Sequence, residues 1–226
     1  MPSAGTDLWA SSVPMGLTMA VAVLLVLLRI GDLQNIATML PASFIRWKEC
    51  VSLFNSVSMN RSKNRVARAM ILPFILICTR FDLFPPAAGW ARELGGTPAA
   101  DPFITTLIVA GVFAAYLILR ELCIVCFKGK KIERTEMKCA CNSVYIFFIS
   151  AVTLMFLTSG ICTLFAANQE VIRKILLWIL AVVYSICLLR KTQIFAYYRG
   201  FLAGILYLCT LEFLPTGLLI VSSLLF

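Results

Sequence analysis

Long hydrophobic runs separated by short charged segments make up most of the chain. A helix needs about 20 mostly apolar residues to cross a hydrocarbon core of roughly 30 Å. Six runs approach this length, and they predict an all-α membrane protein, a six-transmembrane-helix bundle formed as a single membrane domain over residues 1–226. The predicted spans cover residues 9–28, 66–84, 103–119, 144–167, 171–189 and 201–226.

The second of these spans is the least regular. Residues 66–79 would form a helix of only about 21 Å, which is too short to cross alone. Extending the run to residue 84 brings Arg80 and Asp82 into the span, so Arg80 is expected to be partly submerged or to snorkel. We expect the span to stop at Pro85 and Pro86, because proline lacks an N–H and disfavours helix at the residue before it.

The composition narrows the class of function. The chain is 61% hydrophobic and 14% charged, with a mean hydropathy of +0.92, which excludes a disordered chain and an ordinary soluble enzyme. It contains no histidine, the commonest general base and a frequent zinc ligand. No catalytic motif is found, so we expect no enzyme and no cofactor. The expected partners are the lipid bilayer and other membrane proteins, with no nucleic acid.

The basic residues predict how the chain lies in the membrane. Sixteen Lys and Arg residues adjoin the first, third and fifth connections, and the positive-inside rule places these in the cytoplasm. Both termini are then outside a multi-pass protein of the inner (cytoplasmic) membrane, and the first span is expected to remain uncleaved. The remaining four Lys and Arg residues are predicted to lie on the outer side: Arg80, Arg92, Arg173 and Lys174.

Two features of the first connection are predicted to meet the membrane surface. Phe44, Trp47, Val51 and Phe54 recur at helical spacing, which predicts an amphipathic interfacial helix. The alternative is that this helix packs under the bundle. The basic run at residues 61–65 is expected to anchor the chain to lipid headgroups.

Glu212 is the main candidate for an intramembrane functional residue, because a carboxylate within an apolar span is energetically costly. Pro215 frees the carbonyl of the residue four positions earlier, which makes the helix locally polar beside this acid. Glu212 and Arg80 are at similar distances from the basic residues Arg199 and Arg68, which suggests a buried pair with Asp82 nearby. The alternatives are proton or ion coupling and no contact at all.

Four cysteines of the third connection form a second, weaker candidate. A CxxC followed by a CxC could bind zinc through four thiolates, although the CxC spacing is tighter than usual. The alternative, which we favour, is that these are reduced cytoplasmic thiols and that no metal is bound. The four are Cys123, Cys126, Cys139 and Cys141.

The sequence ILYLCTLEFLP at residues 205–215, together with the six-span layout and the basic first connection, resembles an uncharacterised family of integral inner-membrane proteins of Bacteroidota, a domain of unknown function. The resemblance implies that Glu212, Tyr207 and Pro215 are positions to test. It implies no activity, ligand or cofactor. We therefore expect a non-catalytic structural or accessory component of the cell envelope. The alternative is a small proton-coupled transporter or channel that uses Glu212.

Overall fold

The computed structural model describes residues 13–37, 57–95, 101–126, 134–165 and 168–199. Within these ranges every regular element is an α-helix, so the all-α prediction is confirmed for the described part of the chain. The sixth predicted span and the predicted interfacial helix lie outside it. In chain order the helices are α1 (Val13–Leu27), α2 (Ile30–Ala37), α3 (Val57–Ala69), α4 (Ile71–Arg80), α5 (Pro85–Gly95), α6 (Pro102–Cys126), α7 (Arg134–Leu164) and α8 (Gln169–Arg199).

Three of these helices are long and apolar enough to cross a membrane. The candidate spans are Pro102–Leu122 in α6, Ser143–Leu164 in α7 and Gln169–Gln193 in α8, and they correspond to the third, fourth and fifth predicted spans. A fourth candidate is the pair formed by α1 and α2, which are bent by 56° relative to each other. The described residues therefore form a helical membrane protein with three or four candidate spans.

Two of the long helices begin at side-chain caps that the hydrophobic pattern alone does not reveal. The Asp101 carboxylate accepts the N–H of Phe103 at 2.9 Å, and Pro102 takes the first helical position, where its missing N–H is not needed. At the start of α8 the Asn168 side chain accepts the N–H of Glu170 at 3.2 Å. These bonds satisfy N–H groups that have no partner within the helix.

The short helix α4 lies at the centre of the described bundle, where it packs against α1, α3, α6 and α7. A helix that is apolar on all sides is stable only when neighbours surround it. Three partly buried rings join α4 to its neighbours: Phe74 lies 5.3 Å from Phe113 of α6 and 5.5 Å from Phe148 of α7. The buried residues of α4 are Pro73, Ile75, Leu76, Ile77, Cys78 and Thr79.

The predicted second span, residues 66–84, is not one continuous helix in the structure. Helix α3 ends at Ala69 and α4 begins at Ile71, although Met70 keeps helical angles of φ −79° and ψ −9°. Pro73 explains the joint, because it has no N–H to donate to the carbonyl of Ala69 and its ring crowds that carbonyl. Helix α4 has ten residues, or about 15 Å, and so cannot cross the hydrocarbon core by itself.

The helices α7 and α8 form an antiparallel hairpin through a buried cluster of Phe147, Ala151, Val183 and Cys187. Helix α4 is antiparallel to α6, since Phe74 contacts Phe113 whereas Cys78 packs with Val109. It is parallel to α7, since Met70 packs with Ile149 and Phe81 with Met155, so α6 is antiparallel to α7. The bundle therefore has two ends, named here by one residue each. The Pro102 end also holds Leu164 and Gln169, and the Ser143 end also holds Leu122 and Gln193.

Candidate functional site

Two of the five predicted intramembrane residues belong to the described part of the chain. Arg80 is the last residue of α4, and Asp82 lies in the turn that follows it. Glu212, Tyr207 and Pro215 lie outside the described residues, so their roles stay predictions. The candidate site is therefore the turn at residues 81–84, which we call the α4–α5 break.

The α4–α5 break is a compact helix-ending turn whose backbone groups bond to one another. Asp82 has a positive φ of 47°, and its N–H donates to the carbonyl of Thr79 at 3.3 Å. The N–H of Leu83 donates to the carbonyl of Cys78 at 2.9 Å. This pair of bonds around a left-handed residue is the Schellman motif, in which glycine usually takes the position that Asp82 occupies here.

The proline pair after the break does not act as the sequence predicts. Helix α4 already ends at Arg80, five residues before Pro85, so the Schellman turn and not the prolines stops it. Pro85 and Pro86 instead begin α5, which suits proline because its fixed φ is helical and the first helical N–H groups need no partner. Ala87 then donates its N–H to the carbonyl of Phe84 at 3.1 Å.

The break lies inside the layer that the candidate spans cross. Cys78 of α4 shares a buried cluster with Val109, which lies seven residues, or about 10 Å, into α6 from Pro102. Phe81 shares another buried cluster with Met155, which lies nine residues, or about 14 Å, from Leu164 in α7. The two helices therefore place the break roughly 10–14 Å below the Pro102 end of the bundle.

At this depth the hydrogen bonds of the turn become important. Backbone polar groups within a bilayer must be bonded internally or line a wet cavity. The carbonyls of Ile77, Cys78 and Thr79, which would end α4 without partners, accept the N–H groups of Phe81, Leu83 and Asp82. The break can therefore lie in a membrane interior, because these three carbonyls need no bound ion or water to satisfy them.

The two charged side chains of the break are half-buried and do not form an ion pair with each other. The Arg80 guanidinium lies 6.0 Å from the centre of the Phe81 ring, and its charge is favourable at the negative end of the α4 dipole. Asp82 makes no ion pair within the described ranges. The predicted pair of Arg80 with Glu212 stays a prediction.

The four loop cysteines fall within helices. Cys123 and Cys126 are in the last turn of α6, and Cys139 and Cys141 are near the start of α7, while their side chains lie outside the described part of the chain. Within that part no group of three or more Cys, Asp or Glu residues could hold a metal ion. The zinc alternative is therefore not tested.

Two buried lysines at the Ser143 end were missed by the sequence reasoning. Lys63 is 1% exposed, and its ammonium lies 5.7 Å from the centre of the Tyr145 ring, while Lys191 is 3% exposed. The sequence did contain a signal for Lys63, because it precedes the buried residues Val66, Ala67 and Met70 by three, four and seven positions. That spacing places all four on one face of a helix.

A shallow groove runs along the surface between α7 and α8. Its volume is about 330 Å³, and Trp178 at its edge is 72% exposed. All its lining side chains are apolar or aromatic: Leu154, Ile175, Trp178, Ile179, Val182 and Val183. A groove of this chemistry suits lipid chains or an apolar helix and offers no group for catalysis.

No family model, no curated protein and no solved structure matches this chain. Its function is therefore inferred from its own residues.

Proposed function

We propose that this protein is a six-span protein of the inner (cytoplasmic) membrane, with both termini outside, and that it acts as a non-catalytic structural or accessory component of the cell envelope. The apolar composition and the candidate spans of α6, α7 and α8 support a location in a membrane. The distribution of charge supports the orientation, since Lys63, Arg120 and Arg190 lie towards the Ser143 end, the predicted cytoplasmic side.

The observation that carries this role is the state of the buried hydroxyl groups. A transporter needs polar groups along a continuous path between its two openings. In the described bundle the buried hydroxyls of Thr79, Thr105, Thr106 and Ser150 each donate to the carbonyl four residues earlier, within the same helix or at its N-cap, at 2.7–2.8 Å. These groups are engaged with their own helices, so they support a packing role.

The apolar core adjoining α4 supports the same role. The buried cluster that joins α4 to α7 and α8 contains Ile77, Phe81, Met155, Ile172 and Leu176. These apolar side chains pack the three helices against one another. An accessory protein needs such a rigid bundle, whereas alternating access needs helices that separate.

One observation favours the alternative, a small proton-coupled transporter or channel that uses Glu212. Broken helices in the membrane often mark the binding sites of transporters, and the α4–α5 break carries Arg80 and Asp82 about 10–14 Å below the Pro102 end. The alternative is weaker because three carbonyls at this break are already bonded within the turn.

Proton uptake in sealed proteoliposomes separates the two functions. The parent protein and the Glu212→Gln variant are reconstituted at equal amounts with a pH-sensitive dye inside, and a protonophore added at the end confirms that the vesicles are sealed. We expect neither protein to exceed the uptake of empty vesicles. Uptake by the parent that disappears in Glu212→Gln, with the level of folded protein unchanged, would establish the transporter and refute the accessory role.

A further inference from the structure

Helix α3 has one buried face and one exposed face. Lys63, Val66, Ala67 and Met70 are buried, and the apolar members of this face pack in one cluster with Ile149 of α7 and its neighbours. The cation on this face is covered, because Lys63 lies beside the ring of Tyr145 and is 1% exposed. The buried face therefore packs inside the bundle and is not available to other molecules.

The opposite side of α3 carries two exposed cations. Arg65 and Arg68 are three residues apart, so they lie on the same side of the helix, and both are exposed. Within the described part of the chain neither forms an ion pair or a hydrogen bond. Two guanidinium groups thus face outward side by side, with their donors available to an external partner.

This pair lies on the half of the bundle nearer the Ser143 end. Lys63 is beside Tyr145, which lies two residues, or about 3 Å, from Ser143 at the end of the α7 span. Helix α3 runs in the same direction as α7, since Val66 and Met70 pack with Ile149 and Val152, so Arg65 and Arg68 lie about 6 and 11 Å from the level of Ser143. Arginine has a long apolar stem that can lie along hydrocarbon while its charged group reaches the headgroups.

The charges around α3 favour an anionic partner. Among the residues whose side chains the structure describes, the carboxylates towards this end are Asp32, which already lies 3.7 Å from Arg29, and the exposed Glu121 of α6. We infer that the face of α3 formed by Arg65 and Arg68 binds the phosphate groups of anionic phospholipids at the Ser143 end. The planar guanidinium group matches phosphate with two parallel hydrogen bonds, and a pair of them favours lipids of net negative charge.

The test is lipid-dependent stabilisation of the full chain in detergent. The midpoint of thermal unfolding is measured with added phosphatidylglycerol, with phosphatidylcholine, and with inorganic phosphate. We expect phosphatidylglycerol to raise the midpoint most, and the double variant Arg65→Gln/Arg68→Gln to lose more than half of that rise. The charge-matched control Arg92→Gln/Lys174→Gln, which changes two exposed cations outside α3, should keep the full rise.

Four outcomes would overturn the inference, and the first three come from the unfolding measurement. The first is a full response to phosphatidylglycerol in the α3 double variant, and the second is an equal loss in the control, which would reveal only an effect of net charge. The third is an equal rise with inorganic phosphate, which would indicate a site for free anions. If the double variant does not fold, Arg65→Lys/Arg68→Lys keeps the charge, and bound phosphatidylglycerol is counted by native mass spectrometry. An unchanged lipid count in each single glutamine variant would also overturn it.

Discussion

The carbonyl oxygen of Cys78 accepts the N–H of Leu83 at 2.9 Å, and this bond closes α4 inside the bundle. The two residues also belong to the same apolar cluster, so hydrogen bonding and packing fix the turn together. Between them lies Asp82, whose φ of 47° is uncommon for a residue with a side chain. The geometry of the α4–α5 break therefore depends most on the residue at position 82.

Replacing Asp82 tests this dependence. Asp82→Gly removes the strain of the left-handed conformation, and we expect it to stabilise the protein by about 1 kcal/mol. Asp82→Val should destabilise it by more than that, because a β-branched side chain fits this conformation poorly. Thermal unfolding in one detergent compares both variants with the parent. Equal effects of Gly and Val would show that the side-chain carboxylate matters and the backbone conformation does not.

Met155 and Leu154 offer a second, internally controlled comparison on α7. Met155 is fully buried between α4 and α8, whereas its neighbour Leu154 is 44% exposed. Lipid is as apolar as this core, so Met155→Ala loses packing contacts and little transfer free energy, and we expect a loss of about 2 kcal/mol. Leu154→Ala should change the free energy of unfolding by much less. Equal losses would place Met155 outside the core.

Lys63 and Tyr145 predict a charge-dependent contact at the Ser143 end. Lys63→Glu puts a carboxylate where a buried ammonium faces the ring, and we expect a sharp drop in folded protein. Asn64→Glu introduces the same side chain at the adjacent exposed position and should be tolerated.

The ring itself is tested at Tyr145. Tyr145→Phe keeps the aromatic face and should be nearly neutral, whereas Tyr145→Leu should destabilise by about 0.5–1 kcal/mol. Detergent-solubilised yield and size-exclusion profiles measure all four variants. A tolerated Lys63→Glu would refute the contact as a stabilising one.

The proposed orientation is tested by labelling single cysteines from outside intact cells. The nine native cysteines are first replaced, and one cysteine is then introduced at the exposed position Glu93 on α5 or Glu121 on α6. A membrane-impermeant maleimide should label Glu93→Cys and should reach Glu121→Cys only after the cells are opened. The reverse pattern would show that the orientation in the membrane is opposite to the proposed one. Labelling of both positions from outside would contradict the proposed span between them.

The long spans could be predicted from the sequence because their signal is simply the length of an apolar run. The structure extends them, since α8 runs from Gln169 to Arg199 where the pattern predicted residues 171–189. The predicted fifth connection therefore begins inside α8, which carries Arg190, Lys191 and Arg199.

The second span and the α4–α5 break could not be predicted in the same way. Hydropathy averages over a run, whereas the actual path depends on single residues: Pro73 interrupts one hydrogen bond, and Asp82 adopts a left-handed φ that is more usual for glycine. Neither event changes the apolar character of the run. The burial of Lys63 is indicated by its helical face, which a count of charges along the chain does not show.

The short length of α4 has a consequence for how the protein is made. Ten residues cannot hold a position across a bilayer, and α4 is covered by helices that come both before and after it in the chain. When ribosomal synthesis has reached only α5, the side of α4 that faces α6 and α7 has no neighbour. We therefore expect the packing of α4 to be completed only after α7 has been synthesised, so truncation before Arg134 should leave α4 open to degradation by membrane proteases.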